Sequence, residues 1–306
     1  MASLWESITR DCVCKSRIGV DTDIHLFLIL IWHLMIALLK FDNLKQNYLI
    51  IVNNIQDKGL DSMNFIAKTD IGALRERNED SYFFDDENRL FAIADGMSGH
   101  ARGDIASQLT LQVFEEWAAE TPNLASDLGP IKRLDILEKL ATDANRRVYA
   151  MGQDSYQYHR MGTTLTAGFV MPSYLAYVHV GDSRLYVLHN DVLTQITTDD
   201  SLVQQMIEKG EITPEEGRVH AKRNIITQAI GLAEEVSLTT DVCPLSAGDI
   251  ILACTDGLHD LITDDTETRN IISSAPTLEA ASENLISKAL AYGGTDNVTV
   301  LLTTVD

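Results

Sequence analysis

LAYVHVGDSRLYVLHNDVLTQIT, residues 175–197, holds three strand-like runs joined by GDS and ND. A parallel crossover needs about a dozen residues or more, so connections this short predict consecutive antiparallel hairpins. Working outward, similar β-branched or apolar runs occur as FIAKTDI, SYFFDD, RLFAIAD and TTLTAGFV before it and as DIILAC and NVTVLLTTV after it, each bounded by Gly, Asp or Asn. Helical spacing takes over elsewhere. Ile105, Leu109, Val113 and Trp117 recur every four residues, and 131–151 and 278–291 carry comparable stripes. Strands come in adjacent pairs and long helices in blocks, not in strict alternation. The expectation is therefore an α+β fold, a four-layer α-β-β-α sandwich with two central antiparallel sheets, and not a doubly wound parallel sheet.

The 306 residues carry 24 basic and 45 acidic side chains, a net charge of −21. Such a surface repels nucleic-acid phosphates and anionic headgroups, so nucleic acid is excluded as a partner. Four cysteines, Cys12, Cys14, Cys243 and Cys254, are too few and too scattered for a disulfide framework or a four-ligand zinc site, which predicts a reducing, cytoplasmic setting.

Residues 1–62 differ in character. They hold only six of the basic and seven of the acidic side chains, and 24–39 read IHLFLILIWHLMIALL, sixteen residues broken only by His25 and His33. A spanning helix wants about 20 apolar residues, and a core helix or signal segment 10 to 14. Three readings stand for this extension: dispensable or spurious upstream sequence, a membrane anchor placing the protein on the cytoplasmic face of the inner membrane through 24–39, or a helix packed on the domain. The domain itself is expected to run from Met63 to Asp306.

Five times an Asp stands at the edge of an apolar strand beside a turn residue: Asp80, Asp95, Asp182, Asp256 and Asp296. Each alone reads as a turn or a helix cap. Together they predict carboxylates converging from strand ends, whose repulsion hard divalent cations with oxygen ligands relieve best. Paired cations of this kind lower the pKa of a shared water and clamp an in-line displacement at phosphorus. Arg75 is then placed to hold two phosphate oxygens at once.

The succession GALRERNEDS, ADGMSGHARGDIAS, MGTTLTAG, VHVGDSRLY, TTDDS, HAKRNIITQAIG, CTDGL and GGTDNVTV resembles the metal-dependent serine/threonine protein phosphatases of the PPM or 2C type in their compact bacterial form, over residues 65–303. The resemblance implies hydrolysis of phosphoserine and phosphothreonine in proteins by metal-activated water, with no phosphoenzyme. It makes Asp95 the carboxylate bridging two Mn²⁺ or Mg²⁺ ions, with the Gly96 carbonyl on one of them and Asp256 and Asp296 on one each. Asp80 and Glu79 act mainly through bound waters, and Asn297 supports its neighbour. Arg75 grips the substrate phosphate, Asp182 serves a weaker third cation, and His100 is a candidate proton donor to the leaving alcohol. Residues from about Asp199 to Arg223 match a movable flap. Ser98, Asp200, Ala221 and Gln228 depart from the family pattern. The implied partners are phosphoprotein substrates and an opposing Hanks-type serine/threonine kinase, with the protein a monomer. A catalytically silent binding module, a membrane-tethered interaction component and a phosphatase of small metabolites are the competing readings.

Overall fold

The computed structural model describes residues 63–306 apart from 98–101, 123, 125–127, 155–157 and 159. The apolar segment 24–39 and His100 lie outside the described residues. Among those described, no helix is long and apolar enough to cross a membrane.

Two antiparallel sheets form the centre, as expected. One runs β1 (Ile66–Asp70), β11 (Val298–Thr304), β10 (Ile250–Cys254), β7 (Arg184–His189), β8 (Val192–Gln195). The other runs β2 (Asp80–Asp85), β3 (Leu90–Met97), β5 (Leu165–Met171), β6 (Tyr174–Val180), β9 (Thr239–Pro244), with the short β4 (Gly162–Thr163) beside β3. Of the two hairpins expected within residues 175–197 only the one through ND forms, β7 with β8; GDS instead carries the chain from one sheet to the other, because β6 pairs with β5 and β9 and β7 with β8 and β10.

Side-chain alternation sorts the core. Leu185 and Val187 on β7, Ile251 and Ala253 on β10, and Leu301 on β11 meet Phe91, Ile93, Val170, Leu175 and Tyr177 from the opposite sheet, with Met63 and Phe65 closing one end. Their neighbours point the other way: Tyr186, Leu188, Leu252, Cys254, Val300 and Leu302 pack with Leu258, Ile272 and Leu285 from the helices α5 (Asp256–His259), α6 (Asp265–Ser274) and α7 (Leu278–Ala291). Successive residues on a strand face opposite sides, and both sides are covered, which is why DIILAC is apolar throughout.

The other sheet is covered by α1 (Gly103–Glu120) and α2 (Pro130–Asp154). The buried arc of α1 is centred on Ala106, Ser107, Thr110, Leu111 and Phe114, rotated round the helix from the stripe Ile105, Leu109, Val113 and Trp117, of which Val113 is buried and the other three half-buried. The helix lies against β2, β3 and α2 together, so the small polar residues must go inward to let it approach. Trp117 still meets Phe169 edge-on, with ring centroids 5.8 Å apart. Strand β9, TTDVCP, has no clear alternation and becomes visible only through its pairing with β6.

Candidate active site

All five aspartates come from the same end of the sandwich. Asp95 lies near the end of β3, and Asp80 opens β2 directly opposite it in register. Asp182 occupies the β6–β7 turn, Asp256 opens α5 after β10, and Asp296 precedes β11. Antiparallel pairing brings alternate strand starts and strand ends to one edge.

The motif threonines hold this arrangement. Thr164 Oγ1 accepts from the Asp95 amide at 2.9 Å and shares a 2.7 Å bond with Ser183 Oγ, while Thr163 Oγ1 donates to the Asp95 carbonyl at 2.8 Å. Thr299 and Thr255 hydroxyls donate to Asp80 Oδ2 at 2.7 and 2.9 Å. Gly96 accepts no side chain, because a Cβ there would stand 2.2 Å from the Gly103 carbonyl oxygen and 2.6 Å from that of Glu79. Gly181 needs its positive φ of 104° for the turn that presents Asp182. Asp200, a departure from the family pattern, accepts from the Gly181 amide at 3.0 Å and so braces that turn.

Asn297 ties the Arg75 loop to this edge. Its Nδ2 donates to the carbonyls of Ile71 and Arg77, both at 2.9 Å, and its Oδ1 accepts from the Glu79 amide at 2.8 Å. Arg75 itself is engaged with Asp296, Nη2 to Oδ2 at 2.5 Å. The two residues expected to serve phosphate and cation are therefore paired with each other.

Burial and crowding leave Asp80, Asp95, Asp182 and Asp256 reluctant to ionise. Burial, followed by the charges of Asp80, Asp256, Asp182 and Asp296, pushes Asp95 well above the usual carboxylate range. Asp256 is raised likewise, by burial and then by Asp182, Asp296, Asp260 and Asp80. Asp80 and Asp182 are each pushed up to about 6, again chiefly by burial. Asp80 Oδ1 and Asp256 Oδ1 are buried without a hydrogen-bond partner. Oxygen atoms left in this condition fit a hard divalent cation. With Asp296 turned to Arg75, no three His, Cys, Asp or Glu side chains among the described residues close on one ion-sized point.

The segment Asp199–Arg223 carries helices α3 (Leu202–Glu208) and α4 (Pro214–Arg218). It walls a cavity of about 220 Å³ that reaches Asp182, Asp256, His259, Arg218 and Arg223. His259 is a site residue the sequence reading missed. Its Nε2 lies 3.0 Å from the Asp182 carbonyl, joining α5 to the Asp182 turn. Its place one turn after Asp256 on a helix was the available signal. Both domain cysteines are poor nucleophiles, since burial pushes Cys243 up to about 11 and Cys254 up to about 12.

Compared with known proteins, residues 75–291 match the family model described as protein phosphatase 2C. The chain belongs to the protein phosphatase 2C family. This family member is 36% identical over 239 residues to the serine/threonine phosphatase stp of Listeria monocytogenes, covering 77% of this chain and 93% of that protein. It superposes on the crystal structure of the Mycobacterium tuberculosis serine/threonine phosphatase PstP/Ppp with a TM-score of 0.72 and 36% identity, over 80% of this chain and 99% of that one. A structure of the PstP catalytic domain in complex with two manganese ions gives a TM-score of 0.68 and 37% identity, over 80% and 99%. The two-sheet architecture and the helix layers of this phosphatase 2C family member agree with these neighbours.

Proposed function

We propose that this chain hydrolyses phosphoserine and phosphothreonine in proteins, with a water activated by two divalent cations, and so opposes a serine/threonine kinase. The observation that carries the reading is the gathering of five aspartates at one edge, two of them with buried oxygens that no group among the described residues satisfies. The relative bound to two manganese ions supports the metal count. Asp95 and the Gly96 carbonyl, with Asp256 and Asp296, would hold the pair, while Asp80 and Glu79 reach it through water. Such ions, when bound, lower the pKa of water and offset charge at phosphorus.

The chain's own residues do the rest. Thr163 and Thr164 fix the backbone of Asp95, so its carboxylate would not drift as charge changes around it. Arg75 serves as the bidentate grip on phosphate oxygens. His100 is the proposed donor of a proton to the leaving alcohol. Asp182 is proposed for a weaker third cation beside the flap cavity. Residues 63–306 are proposed as the catalytic unit, a cytoplasmic monomer opposed by a Hanks-type kinase, with 24–39 as the segment through which a membrane contact would arise.

The test is turnover of a phosphothreonine peptide by the full chain and by 63–306 with Mn²⁺ or Mg²⁺. Turnover that disappears in Asp256→Asn and with chelator is the expected result. A folded, metal-loaded full chain that leaves every phosphopeptide intact overturns the reading.

A further inference from the structure

The Arg75–Asp296 ion pair competes with the roles assigned to its members. Both Asp296 oxygens are engaged, Oδ1 by the Asn297 amide at 2.8 Å and Oδ2 by Arg75 Nη2 at 2.5 Å, and a divalent ion brought to Oδ2 would stand against the positive charge of Arg75. A guanidinium held on Asp296 through Nη2 has its plane fixed by that carboxylate, so it is not free to turn its fork to a phosphate elsewhere.

The loop geometry makes the two states alternatives for one side chain. Besides the three Asn297 bonds, the Ala73 amide donates to the Gly294 carbonyl at 2.7 Å, and Gly72 packs so closely that a Cβ there would stand 2.2 Å from the Asp296 carbonyl oxygen. The Arg75 backbone therefore stays over Asp296 whether or not the pair forms. Only the side chain has to turn. It has room to do so, because the Arg75 side chain is 49% exposed and that of Asp296 29%. An exposed pair of this kind contributes about 1 kcal/mol or less, an amount that a divalent cation with several oxygen ligands readily exceeds.

We propose that Arg75 is held on Asp296 until a divalent cation takes that carboxylate, and that cation binding thereby frees the arginine for phosphate. This rests on the reading of Asp296 as a metal ligand. Loading then precedes substrate capture, and the unloaded protein does not sequester phosphoproteins it cannot process. By linkage, phosphate on Arg75 strengthens cation binding by the same factor.

The test uses the full chain and Mg²⁺, which is diamagnetic. In ¹⁵N-arginine spectra, with the Arg75 signal assigned through Arg75→Lys, the guanidinium should show hindered rotation in chelator and free rotation with Mg²⁺. Inorganic phosphate should move that signal only when Mg²⁺ is present. Calorimetric titration should show Arg75→Gln binding Mg²⁺ about 3- to 5-fold more tightly than wild type, the size an exposed ion pair supports. Arg77→Gln removes the same charge two residues away without touching the pair and should change affinity by less than about 2-fold. Equal gains in the two variants, or an Arg75 signal indifferent to Mg²⁺, would overturn the release mechanism while leaving the metal site standing. Wild type that takes up no Mg²⁺ overturns both.

Discussion

Asp182→Asn should stabilise the protein in chelator at pH 7.5, although it removes a carboxylate from the site. Asp182 is 7% exposed and its pKa is pushed from 3.8 up to about 6, first by burial and then against the favourable charge of His259 by Asp199 and Asp260. Because the folded state binds this proton more tightly than the unfolded chain, the carboxyl costs nothing below pH 3.8. Its penalty develops as pH rises through the folded pKa and is complete above it. At about 1.4 kcal/mol per unit the full penalty is about 3 kcal/mol. Asn has the same shape and no charge, so it removes that penalty and keeps the backbone carbonyl that faces His259. For a domain of this size the gain corresponds to roughly 6 to 12 °C in Tm. Differential scanning calorimetry in chelator at pH 7.5 and pH 4 reads it directly, with the gain present at the first and nearly absent at the second. An unchanged or lower Tm at pH 7.5, or a gain that persists at pH 4, would refute the argument from buried charge.

Three further outcomes follow from contacts already described or closely related to them. Arg89 is 2% exposed, donates from Nε to the Val170 carbonyl at 2.9 Å and from Nη2 to Asp306 at 2.8 Å, and also touches Met63 Sδ. Arg89→Met should cost about 2 to 3 kcal/mol in urea unfolding, with phosphopeptide turnover of the remaining folded protein unchanged. Thr164→Val removes both bonds that tie Asp95 to Ser183, and should cost about 1 to 3 kcal/mol and weaken Mg²⁺ binding about 10-fold by calorimetry. Asn297→Ala frees the Arg75 loop at three points, so the KM for a phosphopeptide should rise by more than kcat falls; a fall confined to kcat would show that Asn297 acts on the chemistry and not on the loop.

Much of this molecule is legible in its residues because local rules and global fold agree. The alternation in RLYVLH and the short ND turn after it specify the β7–β8 hairpin before any other partner strand is known, whereas the equally short GDS turn gives no sign that it passes between sheets; Asp at a strand end needs no tertiary information to be noticed. The failures are informative. TTDVCP lacks alternation and is a strand only because β6 offers it an edge. The buried arc of α1 is rotated from the four-residue stripe, keeping Val113 and leaving Ile105, Leu109 and Trp117 half-buried, because a sheet and a second helix share its surface. His259 escaped notice because its spacing from Asp256 marks only a shared helix face, and the Asp182 carbonyl it meets lies 77 positions away in the chain.

By itself the sequence determined the layers, the strand pairing near the hairpins and the five aspartates with their arginine, since each rests on spacing along the chain. Only the tertiary structure decided which of these groups face one another. That Asp80 lies opposite Asp95, that Thr255 and Thr299 meet on one carboxylate, and that Arg75 turns to Asp296 are contacts between residues up to 221 positions apart. Side-chain pairing at such separations depends on how two sheets stack and where their loops end, which no local pattern encodes.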